Sequence, residues 1–151
     1  MSDPARSPAQ RRLDTEGRLG GGDVDVWVAS ASREGQPYLV PLSFDWDGEA
    51  LLVATPTASR TGRNLAAGGA ARIGLGPTRD VSMLDCDVEV IGLHALPAER
   101  AEGFAARTGF DPRASTLAYS WFRLTPTRIQ AWREVNELAD RELMRDGRWL
   151  V

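Results

Sequence analysis

Gln36–Leu65 reads QPYLVPLSFDWDGEALLVATPTASRTGRNL. Pro37–Phe44 is rich in β-branched and apolar residues and reads as a strand, with Pro41 marking an edge or a bulge. Asp47-Gly48 supplies the positive φ angles of a two-residue hairpin turn. Ala50–Ala54 is a short continuous apolar run, expected to pair back on the first strand. TPTASRTGRN then sets hydroxyls, backbone amides and two arginines at the start of a helix. Such a helix start can hold a phosphate, because its outward N–H groups carry partial positive charge. Arg60 and Arg63 would add charge-assisted bonds to the phosphate oxygens. A plainer reading fits equally well: Ser59 is a favoured N-cap residue, and both arginines are solvated. The segment has no Walker-type glycine pattern, and its spacing leaves both readings open.

Outward from this block, 151 residues make one domain with room for a core. A hydrophobic share of 42% beside 26% charged residues places the chain among ordinary globular proteins. A net charge of −3 and a pI near 5.2 argue against a general binder of nucleic acid or anionic membrane, while allowing one local site for a small anion. The apolar runs fall far short of the roughly 20 residues of a membrane span. MSDPARSPAQRR lacks the apolar stretch of a signal peptide. The single cysteine, Cys86, excludes an intrachain disulfide, so the expected setting is the cytoplasm. Cys86 falls in an alternating run and reads as a packing residue. One histidine, His94, argues against a Ser-His-Asp enzyme or a His-rich metal site; at the end of a strand it reads as a surface residue.

Taken in order, residues 1–12 carry prolines, serines and charges and are expected to form a disordered tail before a domain spanning 13–151. A short helix over Gln10–Leu19 can end at Gly20-Gly21-Gly22. Asp23–Ser32 alternates, with Val24, Val26 and Val28 on one face, and makes a three-strand meander with the two strands above. The helix opening near Ser59 stops at Gly68-Gly69. Ala70–Leu75 is a strand, and Val81–Leu93 a long one with an acidic outer face. Pro97–Arg107 forms a helix closed by Gly109, with Phe104 buried. Leu117–Leu124 and Thr127–Trp132 read as two strands broken at Thr125-Pro126. The last stretch is a turn of helix or a hairpin around Asp146-Gly147. Six to seven antiparallel strands with short helices predict a mainly β chain, closed or nearly closed into a barrel.

With these residues in hand, the chain resembles the pyridoxamine 5′-phosphate oxidase-like proteins, the flavin-binding split β-barrels. The likeness rests on GQPYLVPLSFDWDGEALLVATPTASRTGRNL, on VEVIGLHAL with the helix at Pro97, and on FRLTPTRIQAW, and runs over about residues 15–150. It implies a split β-barrel and a homodimer with two cofactor sites at the subunit interface. The cofactor's ring would lie against Leu39, Val40, Pro41, Leu42 and Ser43, with Ala54 and Thr55 on the partner strand. Its phosphate would meet Ser59, Arg60 and Thr61, helped by Arg63 and Asn64. Trp132 matches an aromatic contributed by the other subunit, or is a core tryptophan. Arg141 matches a basic residue that reaches the ring's polar edge.

The departures bear on function. The oxidases of vitamin B6 have an arginine and a lysine where Tyr38 and Ser43 stand, and a histidine after the late tryptophan where REVNELADRE has none. The chain is therefore not expected to be a true vitamin B6 oxidase. The resemblance implies FMN as cofactor, with the deazaflavin F420 as the alternative. Arg60-Thr61 with Asn64-Leu65 resembles the loop of the F420-dependent members. The expected activity is hydride transfer to or from a small planar substrate. The rivals are a non-catalytic protein that binds or sequesters the cofactor, and an interaction module that has lost it. Haem is a lesser option, with His94 as the single imidazole.

Overall fold

The computed structural model describes residues 3–151; Met1 and Ser2, which begin the expected tail, lie outside the described residues. The elements are α1 (Pro8–Leu19), β1 (Asp25–Ala31), β2 (Pro37–Ser43), β3 (Asp45–Trp46), β4 (Leu51–Pro56), α2 (Arg60–Gly68), β5 (Ala70–Leu75), β6 (Val81–Gly92), α3 (Ala98–Thr108), β7 (Tyr119–Trp132), β8 (Glu142–Arg145) and β9 (Arg148–Trp149). One antiparallel sheet runs in the order β2-β1-β5-β6-β7-β4-β3, with the β8–β9 hairpin carried on β7. It curls around a core drawn from alternate positions of every long strand. Val26, Val28, Ile73, Leu75, Leu84, Phe122, Leu124 and Ile129 all point inward, and Leu65 of α2 plugs one end.

β4 is buried along nearly its whole length. Leu51 and Val53 face the core, while Leu52 and Ala54 sit under α3 with Ala101, Phe104 and Trp121. The Phe104 and Trp121 rings meet edge to face at 5.0 Å, and Trp121 Nε1 donates to the Leu93 carbonyl. A strand covered on both sides has no alternation to show, which is why it reads as an unbroken apolar run.

The expected meander is not formed. β2 pairs with β1, but β4 takes β7 as its ladder partner over six residues, Leu51↔Leu124 to Pro56↔Tyr119. The cause lies in the backbone. The β3–β4 ladder pairs Asp45 with Leu52; carried on, its register would face Ser43 with Ala54 and Pro41 with Pro56. The ladder ends before the Ser43–Ala54 step, and neither proline of the following step has an amide hydrogen with which to resume it, so the barrel stays split there.

Other differences are smaller. The hairpin after β3 turns on Gly48-Glu49, one residue later than expected: Gly48 has φ +97°, and the Asp47 carboxylate accepts the Glu49 and Ala50 amides. β7 is a single strand of 14 residues. Its expected break is a bulge, Pro126 facing Cys86 and Arg128 facing Asp85, with Thr127 left over between them. A bulge is where a strand tolerates proline. The C-terminal hairpin does turn on Asp146 and Gly147, at φ 51° and 76°. No helix among the described residues is long and apolar enough to cross a membrane.

Residues 3–12 depart from the expected tail. Ser7 caps α1 by accepting the Gln10 amide, and Pro8 takes the first turn, where a missing N–H costs nothing. Arg6 grips the buried Glu137 through its backbone N–H, Nε and Nη2 at 2.9, 3.1 and 2.8 Å. These bonds from Arg6, joined by the Arg133 amide, hold the Glu137 carboxyl well below the usual carboxylate range, at about 2 instead of 4.5. A depressed carboxylate stabilises the fold fully above about pH 4.5, and that stability is lost as pH falls through about 2. At about 1.36 kcal/mol per unit the contribution is on the order of 3 kcal/mol. Glu137→Gln should therefore lower the melting temperature at pH 7, and the gap from the unmodified protein should close between about pH 4.5 and 2 in thermal scans.

Candidate functional site

The split between β2 and β4 is lined by main-chain groups. Phe44 donates its amide to the Val24 carbonyl, so along β2 the even-numbered residues spend their amides on β1. The odd-numbered positions, Leu39, Pro41 and Ser43, turn theirs away from it. Pro37 and Pro41 bring no donor, which leaves the amides of Leu39 and Ser43 among a row of carbonyls. On β4, Thr57 donates to Ala118, which aims the odd-numbered amides at β7. The opposite edge offers the Ala54 amide and carbonyl and the Pro56 carbonyl. Thus Leu39, Pro41, Ser43 and Ala54 present backbone groups to the gap, whereas Val40, Leu42 and Thr55 spend theirs on ladders. The seam is an edge rich in acceptors with three donors, suited to a flat molecule with a polar rim.

At its far end lies the start of α2. Ser59 caps the helix: its Oγ accepts the Gly62 amide at 3.0 Å and donates to the Pro56 carbonyl at 2.7 Å. The first-turn amides of Arg60 and Thr61 are not taken by that cap and point out of the helix end. Gly62 is required by space, since a Cβ there would stand 2.4 Å from the Pro56 oxygen and 3.0 Å from that of Thr57. The loop thus folds tightly against its own helix, the way a cradle for an anion is built. The Arg60 guanidinium rests over the Tyr38 ring of β2, 5.1 Å from its centre, and joins the two lips of the split. Thr61 is buried beneath. Arg63 is exposed on the same helix. Asn64 is turned inward and donates to Ser30 Oγ at 3.2 Å, tying α2 to β1. Thr57 and Ser120 share a hydrogen bond of 2.7 Å that pins the loop to β7.

Trp132 and Arg141 stand apart from this loop; among the described residues no hydrogen bond or stacking contact joins them to it. Trp132 ends β7, with the Arg141 guanidinium 5.4 Å from its ring centre. It lines a cleft of about 560 Å³ with Trp27, Leu39, Val81 and Met83, on the outer face of the sheet. Trp27 and Leu39 are 52% and 59% exposed there, an apolar surface beside the outer face of β2. Trp132 is therefore a half-buried surface residue and not a core one.

Three positions that shape the candidate site carry no mark in the sequence reading. Tyr38 was seen only as a departure, Gly62 only as part of the run, and Ser30 not at all. A glycine inside a helix start, with no turn to make, was the available signal for Gly62. Cys86 is buried, and burial beside Asp85 and Asp87 pushes its thiol up, away from the reactive thiolate. His94 is exposed in the turn after β6. Among the described residues no cluster of metal-ligating side chains occurs. Among the described residues the seam and the loop bring together no acid–base pair.

The model of the pyridoxamine 5′-phosphate oxidase family matches residues 25–133. No curated protein matches. Among solved structures the fold is similar to one named an F420 reductase (TM-score 0.63, 19% identity, 76% of this chain and 94% of that one). It is also similar to a pyridoxamine 5′-phosphate oxidase-related, FMN-binding protein of Nostoc punctiforme (0.52, 14%, 82% and 78%). A heme-binding protein of Mycobacterium smegmatis has a similar fold (0.62, 17%, 97% and 60%). At these identities the structures speak for the fold alone. The family model spans β1 to the end of β7, and so takes in the seam, the loop and Trp132: the chain belongs to the pyridoxamine 5′-phosphate oxidase family.

Proposed function

We propose that this chain is an oxidoreductase that uses FMN, with F420 as the alternative, and acts on a small planar substrate. The observation that carries the reading is the split seam that ends on the capped loop of α2: a rim of backbone donors and acceptors leading to an anion cradle. Family membership and the fold shared with an F420 reductase and an FMN-binding protein support it. The residues present fit such a group. The cradle holds two outward amides, one arginine without a carboxylate, and a glycine whose missing Cβ leaves the loop its shape.

A bound FMN or F420 supplies the hydride chemistry. The chain's own residues bind and orient. Leu39, Ser43 and Ala54 offer main-chain donors to the ring's polar edge. Arg60, now over Tyr38, would hold the phosphate together with the Arg60 and Thr61 amides, and Arg63 lies in the same turn. Asn64 holds the helix against Ser30. We propose further that two copies pair through the apolar face around Trp27 and Leu39. Trp132 and Arg141 of each copy then cover the other's cofactor and exclude water from it. This matches their distance from the loop in one protomer. A cytoplasmic location agrees with the lone, buried cysteine.

One observation favours a second reading, a binding protein without turnover: the seam holds no acid or base among the described residues. Turnover of bound cofactor with NAD(P)H or with quinone-like acceptors separates the two.

Titration of the purified protein with FMN and, separately, with F420, followed by fluorescence, tests the proposal. One of them should bind in the micromolar range or tighter; failure of both would leave only a capped helix. Arg60→Ala removes the charge-assisted bonds and should weaken binding at least about tenfold; an unchanged dissociation constant would remove the phosphate role. Gly62→Ala should weaken binding as well and lower stability by about 1–3 kcal/mol, read by denaturant unfolding, because the 56–59 loop must move.

A further inference from the structure

The base of the segment that carries Trp132 and Arg141 is closed by a buried arginine from the far end of the chain. Arg11 of α1 is 2% exposed. Its Nη1 donates to the Ala131 carbonyl at 3.1 Å and to the Asp140 carbonyl at 2.7 Å. Ala131 and Arg141 are themselves joined, Ala131 N–H donating to the Arg141 carbonyl at 2.9 Å. The guanidinium therefore spans both ends of residues 132–140, one residue before Trp132 and one before Arg141.

This is a costly use of an arginine. Among the described residues no carboxylate pairs with Arg11, and its Nε finds no partner. A buried cation with two carbonyl acceptors is a poor way to stabilise a helix face that Leu19 and Thr15 already hold. Thr15 is fixed to Ser82 at 2.7 Å and Arg18 to the Asp80 carbonyl, so α1 is a firm platform and Arg11 has little room to wander. From the same platform Arg6 grips Glu137 in the middle of the segment, and Asn136 reaches the Asp3 carbonyl. Every strong contact of residues 133–140 outside their own turn runs to the N-terminal stretch or to the β5–β6 loop.

We propose that Arg11 is a positioning residue for cofactor binding. It sets the base of the 132–140 segment and thereby the placement of the Trp132 ring and the Arg141 guanidinium stacked on it. The inference rests on the role given above to those two residues. It makes α1, which lies outside the stretch matched by the family model, a part of the binding machinery.

The test is a double-mutant cycle with FMN, or with F420 if that is what binds. Dissociation constants and bound-cofactor fluorescence are measured for the unmodified protein, Arg11→Met, Trp132→Ala and the double variant, each with its melting temperature. Arg11→Met should weaken binding about five- to tenfold and brighten the bound cofactor, as a displaced tryptophan quenches less. In the Trp132→Ala background the same change should cost little more. Arg11→Lys, which keeps a donor, should recover part of the affinity. Equal weakening by Arg11→Met with and without Trp132 would overturn the inference, as would no weakening at all. If Trp132→Ala leaves affinity and fluorescence untouched while Arg60→Ala still weakens binding, the seam reading stands and the role of Arg11 falls. Should Arg11→Met not fold, Arg11→Gln enters the same cycle under the same criteria.

Discussion

Backbone amides and carbonyls must find partners, and a sheet that curls on itself finds them by closing. Here the closure is refused at one point, where Pro41 and Pro56 would face each other in the continued β3–β4 register. Two missing amide hydrogens keep the ladder from resuming there. β2 is left held by β1 alone, with its other edge turned to a gap. An unpaired edge is ordinarily a liability. In this chain it becomes a lined slot, because the loop after Pro56 bends back and Arg60 meets Tyr38 across it.

The opposite lip is as rigid as the fold can make it. β4 is packed on the core by Leu51 and Val53 and on α3 by Leu52 and Ala54, and it is laddered to β7 along its length. A site whose backbone groups must keep their places needs such support. The exposed lip, β2, is laddered to β1 on one edge only, and its outer residues Leu39 and Trp27's neighbour Pro41 lie beside the apolar cleft. The two lips thus differ in support: β4 is packed on both faces and paired to β7, and β2 is paired on one edge.

Most elements were legible in the sequence because alternation and punctuation are local. Val26 and Val28, or Ile73 and Leu75, name an inward face without knowing its neighbours, and Ser59, Gly69 and Gly109 mark helix ends by their own chemistry. The curled antiparallel sheet follows from these. What could not be read was partnership. Ala50–Ala54 announces burial on two sides yet not that β7 and α3 provide it, so the meander seemed the shorter answer. Pro126 looks like a break until Cys86 and Asp85 show the bulge that absorbs it. Ser7-Pro8 was taken for disorder, although a capping serine before a proline is a helix start; the Arg6–Glu137 contact spans 131 positions and leaves no local trace. In the site, the loop was visible as chemistry, whereas Tyr38 and Ser30 entered only through the register of β1 and β2.

The chain is acidic overall, and most of its arginines find carboxylates, among them Arg6 with Glu137, Arg18 and Arg133 with Asp80, Arg72 with Asp85, Arg100 with Asp45, and Arg128 with Glu142. Arg60, Arg63 and Arg141 have none within 4.0 Å among the described residues. Arg60 and Arg141 lie instead against aromatic rings, contacts that hold a cation weakly and release it without breaking an ion pair. An anion arriving at α2 would displace a ring, not a carboxylate. The cost of that exchange would be small.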